Sequence, residues 1–183
     1  MNELQLDPEL LGTLQTLETH RVEFVLVGDV ANAIYNHGGF VSGVAIVPGG
    51  YGRNVERLCN ALQTMNAELG IAGRPDPRGL DWRRMDLREI APCSFMTAYA
   101  DVDVDFHPEG TNGFRDIYQD AERIELAPGA RPHVASPEDL DRIAHGVAPP
   151  APPAALPPAT LPPEVELWAD EEIRASRAGR ARH

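Results

Sequence analysis

Apolar side chains at Leu10, Leu11, Leu14 and Leu17 follow the spacing of one helix face, and predict a helix over residues 6–20 with Asp7 as cap and Pro8 in its first turn. Residues 22–27, Val-Glu-Phe-Val-Leu-Val, are too uniformly apolar for an exposed strand and predict a buried one. Gly28-Asp29 ends it before a helical run over 30–35. The turn Asn36-His37-Gly38-Gly39 then leads to a second strand over 41–47, closed by Pro48-Gly49-Gly50 and expected beside the first. Val55, Leu58, Leu62, Met65 and Leu69 restore helical spacing and predict a long helix over 54–69 with Gly70 as its stop.

Residues 71–80 read as a loop of Gly, Pro and Arg, and 81–90 as a short helix opened by Asp81. Residues 93–99 pass through a hairpin around Tyr99-Ala100 into the most distinctive stretch of the chain. There Asp101, Asp103 and Asp105 alternate with Val102, Val104 and Phe106. A strand has a period of two, so three carboxylates share one face and three apolar groups the other. Burial rewards the apolar face at roughly 25 cal/mol per Å². The carboxylates repel one another unless water, arginine or a hard cation shares their side. Two readings follow: the solvated side of an antiparallel strand, or the acidic wall of a cleft. His107-Pro108-Glu109-Gly110 ends the strand, 114–121 predicts another short helix, and 123–126 with 133–135 frame a hairpin around Pro128-Gly129. Ser136 and Pro137 open a last core helix as cap and first residue.

After that helix the pattern changes. Residues 147–163 hold eight of the seventeen prolines and predict a semi-rigid polyproline linker, and 164–177 predict a short helix whose Val165, Trp168 and Ile173 would dock on the domain or on a second copy of the chain. The organisation is thus a mixed α/β domain over 1–146, a linker over 147–163 and a tail over 164–183. All sixteen basic residues are arginine and the net charge is −12, which disfavours non-specific binding to nucleic-acid phosphates. The densest basic run, Arg74, Arg78, Arg83, Arg84 and Arg88, reads first as a solvated face and second as a phosphate contact. Cys59 and Cys93 are expected as reduced, buried thiols of a cytoplasmic protein, and no window has the length and apolarity of a membrane span. Zinc spacing, a serine nucleophile elbow and a phosphate-cradling P-loop are all missing.

The order helix, strand, glycine turn, helix, strand, long helix, acidic strand resembles the minimal nucleotidyltransferase fold, in particular the bacterial AbiEii-type toxins and their relatives. Four pieces within residues 22–145 carry the resemblance: Phe24 to Ala31, Val41 to Pro48, Thr97 to Asp105 and Val134 to Leu140. It implies a small mixed sheet flanked by helices, a nucleotide or RNA partner, and Mg²⁺ or Mn²⁺ with a nucleotide triphosphate. In that family two carboxylates at alternate positions of the second strand hold two cations, and a third carboxylate activates the acceptor. Asp103 matches the third. The pair falls on Gly43 and Ala45, which cannot ligate a cation, and the lysine of the closing helix is replaced near Ile143 and Ala144.

Two readings of function remain. One is a degenerate nucleotidyltransferase kept as a binding or regulatory module in a toxin–antitoxin or phage-defence setting, with no cofactor. The other is an active transferase with a relocated site, in which Asp29, Asp103 and Asp105 hold the metal. Gly28, Asp29, Ser42 and Arg53 are the candidate nucleotide contacts, Asp103 the candidate catalytic carboxylate, and Asp103 with Asp105 the candidate metal ligands. His37, His107, Tyr51 and Arg57 are secondary candidates at the rim of such a cleft.

Overall fold

The computed structural model describes residues 6–146 apart from 37, 40, 42, 72, 77 and 83. These belong to a compact unit spanning Met1–Pro149. The expected linker and tail, and the candidates Ser42 and His37, lie outside the described residues.

Among the described residues six helices and eight strands make a mixed α/β fold. Helix α1 (Pro8–Thr19) starts where expected, with the Asp7 carboxylate accepting from the Glu9 amide at 3.4 Å. Strand β1 (Phe24–Val27) is buried at every position, and α2 (Gly28–Asn36) begins immediately at Gly28. Strand β2 (Gly43–Pro48) and α3 (Gly52–Thr64) follow, then β3 (Glu68–Ile71), β4 (Arg74–Pro75) and α4 (Leu87–Ile90). Strands β5 (Cys93–Met96) and β6 (Asp101–Val104) form the expected hairpin. Helix α5 (Phe114–Tyr118), β7 (Glu122–Arg123), β8 (His133–Val134) and α6 (Pro137–His145) complete the domain, with the Ser136 hydroxyl capping α6 by accepting from the Asp139 amide at 3.1 Å.

The strands run in the order β4-β3-β5-β6-β2-β1-β8-β7 in a single sheet. The expected neighbours β1 and β2 pair antiparallel, whereas β6 lies parallel to β2 and β8 parallel to β1. Leu14, Leu17, Leu26, Ile46, Leu58, Leu62 and Phe95 are fully buried in one core. Two buried polar side chains tie its parts together with their hydrogen bonds satisfied. Asn54 accepts from the Glu23 amide and donates to the carbonyls of Glu23 and Gly49, joining the start of β1 to the end of β2. Thr13 exchanges hydrogen bonds with the backbone of Ala100, pinning the β5–β6 turn to α1. Among the described residues no helix is long and apolar enough to cross a membrane.

Three elements differ from the sequence reading. The long helix ends at Thr64, because Asn66 takes a left-handed backbone (φ 53°) and the Ala67 amide closes the turn onto the Leu62 carbonyl at 2.9 Å. Leu69 and Gly70 therefore lie in β3, where Gly70 meets the β5 backbone; a Cβ there would sit 3.3 Å from the Ser94 carbonyl oxygen. The supposed loop after it contains β4, paired antiparallel to β3. The helix expected over 81–90 is a single turn, α4, capped by Asp86 rather than opened by Asp81.

Candidate functional site

Along β6 the alternation works as the sequence indicates. Val102 and Val104 are buried, while Asp101 and Asp103 are exposed on the opposite side of the sheet. Parallel pairing with β2 sets Gly43 across from Asp101 and Ala45 across from Asp103. Antiparallel pairing with β5 sets Ser94 on the other flank of Asp103. The face that carries the carboxylates is otherwise built there from small residues.

This face floors a cavity of about 720 Å³. Val27 and Gly28 enter it from the end of β1, Ala45 from β2, Gly70 from β3, Asp103 and Asp105 from β6 and the residue after it, and Ile90, Pro92 and Ile143 from its sides. The Ser94 hydroxyl donates to Asp103 Oδ1. Asp105 Oδ1 accepts from the His107 amide at 2.9 Å, and the Asp105 amide donates to the Ile46 carbonyl at 3.2 Å, so the chain leaving β6 is held against β2. Cys93 also lines the cavity, and burial, then the charges of Asp103 and Asp105, push its thiol up to about 11. At neutral pH it remains a protonated thiol, not a nucleophile.

Gly28 is required twice over at this point. Its φ is +68°, and a Cβ would stand 3.0 Å from the Ala45 Cβ. Gly28→Ala should therefore destabilise the domain by about 1–2 kcal/mol, the usual cost of placing an L-residue in the left-handed region. Urea unfolding measures it. An unchanged midpoint would mean that the start of α2 shifts at no cost.

Of the sequence candidates, Gly28, Asp103 and Asp105 come together at the cavity. Asp29, exposed in the first turn of α2, and Arg53, exposed in the first turn of α3, are not among its lining residues. His107 contributes its amide to Asp105 while its side chain is outside the lining. Arg57 donates to the Arg21 carbonyl at 3.1 Å and faces Glu23 at 4.0 Å. Tyr51 is pushed up to about 12 by burial and by its hydrogen bond to Glu23. Both thus belong to the surface at the start of β1, away from the cavity.

Three arginines of the basic run pair with nearby aspartates, and Arg83 lies outside the described residues. Arg78 binds Asp76 at 2.9 Å, Arg84 approaches Asp81 at 3.6 Å, and Arg88 binds Asp86, holding that carboxyl down to about 2. None of these arginines lines the cavity. Ser94, Cys93, Gly70, Ile90 and Pro92 are site residues that sequence reasoning did not single out, while Ile143, near the place of the closing-helix lysine in the resemblance, does line the cavity. Among the described residues no three His, Cys, Asp or Glu side chains converge closely enough to hold a metal ion. The chain matches the sequence pattern of no known protein family and the sequence of no curated protein.

Proposed function

We propose that this chain is a nucleotidyltransferase-like domain whose metal-dependent chemistry has been lost and whose cavity serves a binding or regulatory module. The observation that carries the reading is the register of β2 on β6, with Gly43 beside Asp101 and Ala45 beside Asp103. In the nucleotidyltransferases that residues 22–145 resemble, two cations are held by carboxylates at those alternate positions; hard cations take oxygen ligands, and neither Gly43 nor Ala45 offers a side-chain oxygen. The residues present do not fit a two-cation centre: Asp103 is engaged by Ser94, and Asp105 by a backbone amide. A triphosphate entering the cavity would also meet two carboxylates and no arginine among the described lining residues. We read the module as part of a toxin–antitoxin or phage-defence system, on the resemblance of residues 22–145 to AbiEii-type toxins.

Calorimetric titration of Mn²⁺ into the full chain, with and without ATP, tests the reading. The expected result is no saturable Mn²⁺ binding tighter than about 1 mM, the weak end of protein oxygen sites. Ala45→Asp, which sets a second carboxylate next to Asp103, should create measurable binding. Saturable Mn²⁺ binding by the unmodified chain that disappears in Asp103→Asn would overturn the proposal in favour of a working carboxylate site.

A further inference from the structure

We propose that the cavity over β2, β6 and β5 takes a small organic cation, an amine carried on an apolar body, with its ammonium held between Asp103 and Asp105. The inference rests on the reading above, that no metal centre occupies these carboxylates. The cavity's volume, about 720 Å³, is that of a site for a small molecule. Its lining divides into two parts. Val27, Ala45, Ile90, Pro92 and Ile143 make apolar walls, and Asp103 with Asp105 supply the only charged groups among the described lining residues.

Each carboxylate has one oxygen already engaged, Asp103 by the Ser94 hydroxyl and Asp105 by the His107 amide. The second oxygen of each meets no protein donor among the described residues. The raised thiol of Cys93, which lines the same cavity, reports the negative potential that the two carboxylates add to burial there. Charge complementarity selects the ligand class. An anion is repelled, and a neutral ligand offers the carboxylates at most an uncharged hydrogen bond, which offsets less of the cost of their desolvation. An ammonium supplies charge-assisted hydrogen bonds to the two open oxygens, and an apolar body attached to it is buried against the walls.

The test is calorimetry on the full chain with three probes of one shape and different charge: phenethylamine, 2-phenylethanol and phenylacetate. Phenethylamine should bind at least roughly tenfold tighter than 2-phenylethanol, the value of a single added charge-assisted contact, and phenylacetate should give no binding heat. Added salt should weaken the amine. Asp103→Asn and Asp105→Asn should each weaken it several-fold, with circular dichroism confirming that each variant is folded, and Ala45→Phe should block it by filling the cavity. Equal affinity for amine and alcohol, or undiminished amine affinity in the folded double variant Asp103→Asn/Asp105→Asn, would overturn the inference. Absence of amine binding together with absence of Mn²⁺ binding overturns this inference alone and leaves the proposed loss of chemistry standing.

Discussion

Arg142→Met is expected to lower the unfolding free energy by about 3 kcal/mol, the low end of the cost of removing one partner from a buried ion pair, because Asp139 is buried while Arg142 stays partly exposed. Arg142 donates through Nε to Asp139 Oδ1 at 3.1 Å, makes a second, shorter bond to the same oxygen, and reaches Asp116 at 3.4 Å. The Asp139 side chain is 3 % exposed, against 18 % for Arg142 and 23 % for Asp116. Asp139 Oδ2 is buried without a hydrogen-bond partner among the described residues. Without the guanidinium, Asp139 would keep a charge out of water with only the first turn of α6 to stabilise it. Chemical denaturation at pH 7 measures the loss. The double variant Asp139→Leu/Arg142→Met should recover much of it, since replacing both members of a buried pair by apolar groups is often nearly neutral. A loss below about 1 kcal/mol would instead class the pair with solvated surface bridges.

Leu26→Ala should cost about 3–4 kcal/mol, within the range for deleting a fully buried leucine side chain. Leu26 is 0 % exposed and sits on an interior strand of the sheet, in register with Ile46 on one side and Val134 on the other. Its carbonyl accepts from the Ala135 amide at 3.0 Å, so the backbone on that side is fixed and cannot close over the space left behind. The cost is therefore the transfer of the lost methyl groups plus the cavity they vacate. Leu26→Ile, which keeps the volume, should cost less than about 1.5 kcal/mol. Urea unfolding of the two variants with equal slopes checks both values, and similar losses in the two would show that shape rather than volume is what the site demands.

Much of the fold was legible because its signals are local. The unbroken apolar run of β1, the Asp7 and Ser136 caps and the alternation of β6 each act over a few residues, and each element is found where it was expected. Residues 68–71 were not legible in the same way. Met65 and Leu69 lie four apart and extend the helical stripe, and only the pairing of β3 with β5 makes a strand more favourable there.

The site shows the same division more sharply. A hairpin centred on Tyr99-Ala100 would pair Asp103 with Met96. In the structure Thr97 Oγ1 donates to the Ala100 carbonyl at 2.8 Å and accepts from the Tyr99 amide at 3.0 Å, which moves the turn one residue earlier. Ser94 then faces Asp103, and the hydrogen bond that engages that carboxylate follows from this shift. Asp29 and Arg53 are exposed and are not among the cavity's lining residues. Each stands near a glycine turn in the sequence and falls in the first turn of the helix that begins there, α2 for Asp29 and α3 for Arg53.

By itself the sequence determined that a two-faced acidic strand exists, that a buried strand and a glycine turn precede it, and that positions 43 and 45 carry no ligand atom. Those properties are written in side-chain chemistry and in periods of two or three to four residues. The placement of positions 43 and 45 beside Asp103, which the resemblance implies, is realised by the parallel pairing of β6 with β2, and tertiary structure alone decided that Ser94 flanks Asp103 and that Ile90, Pro92 and Ile143 wall the face into a cavity. Neighbours of that kind depend on hydrogen bonds and packing between segments dozens of residues apart, and no local window of the chain holds both sides of the contact.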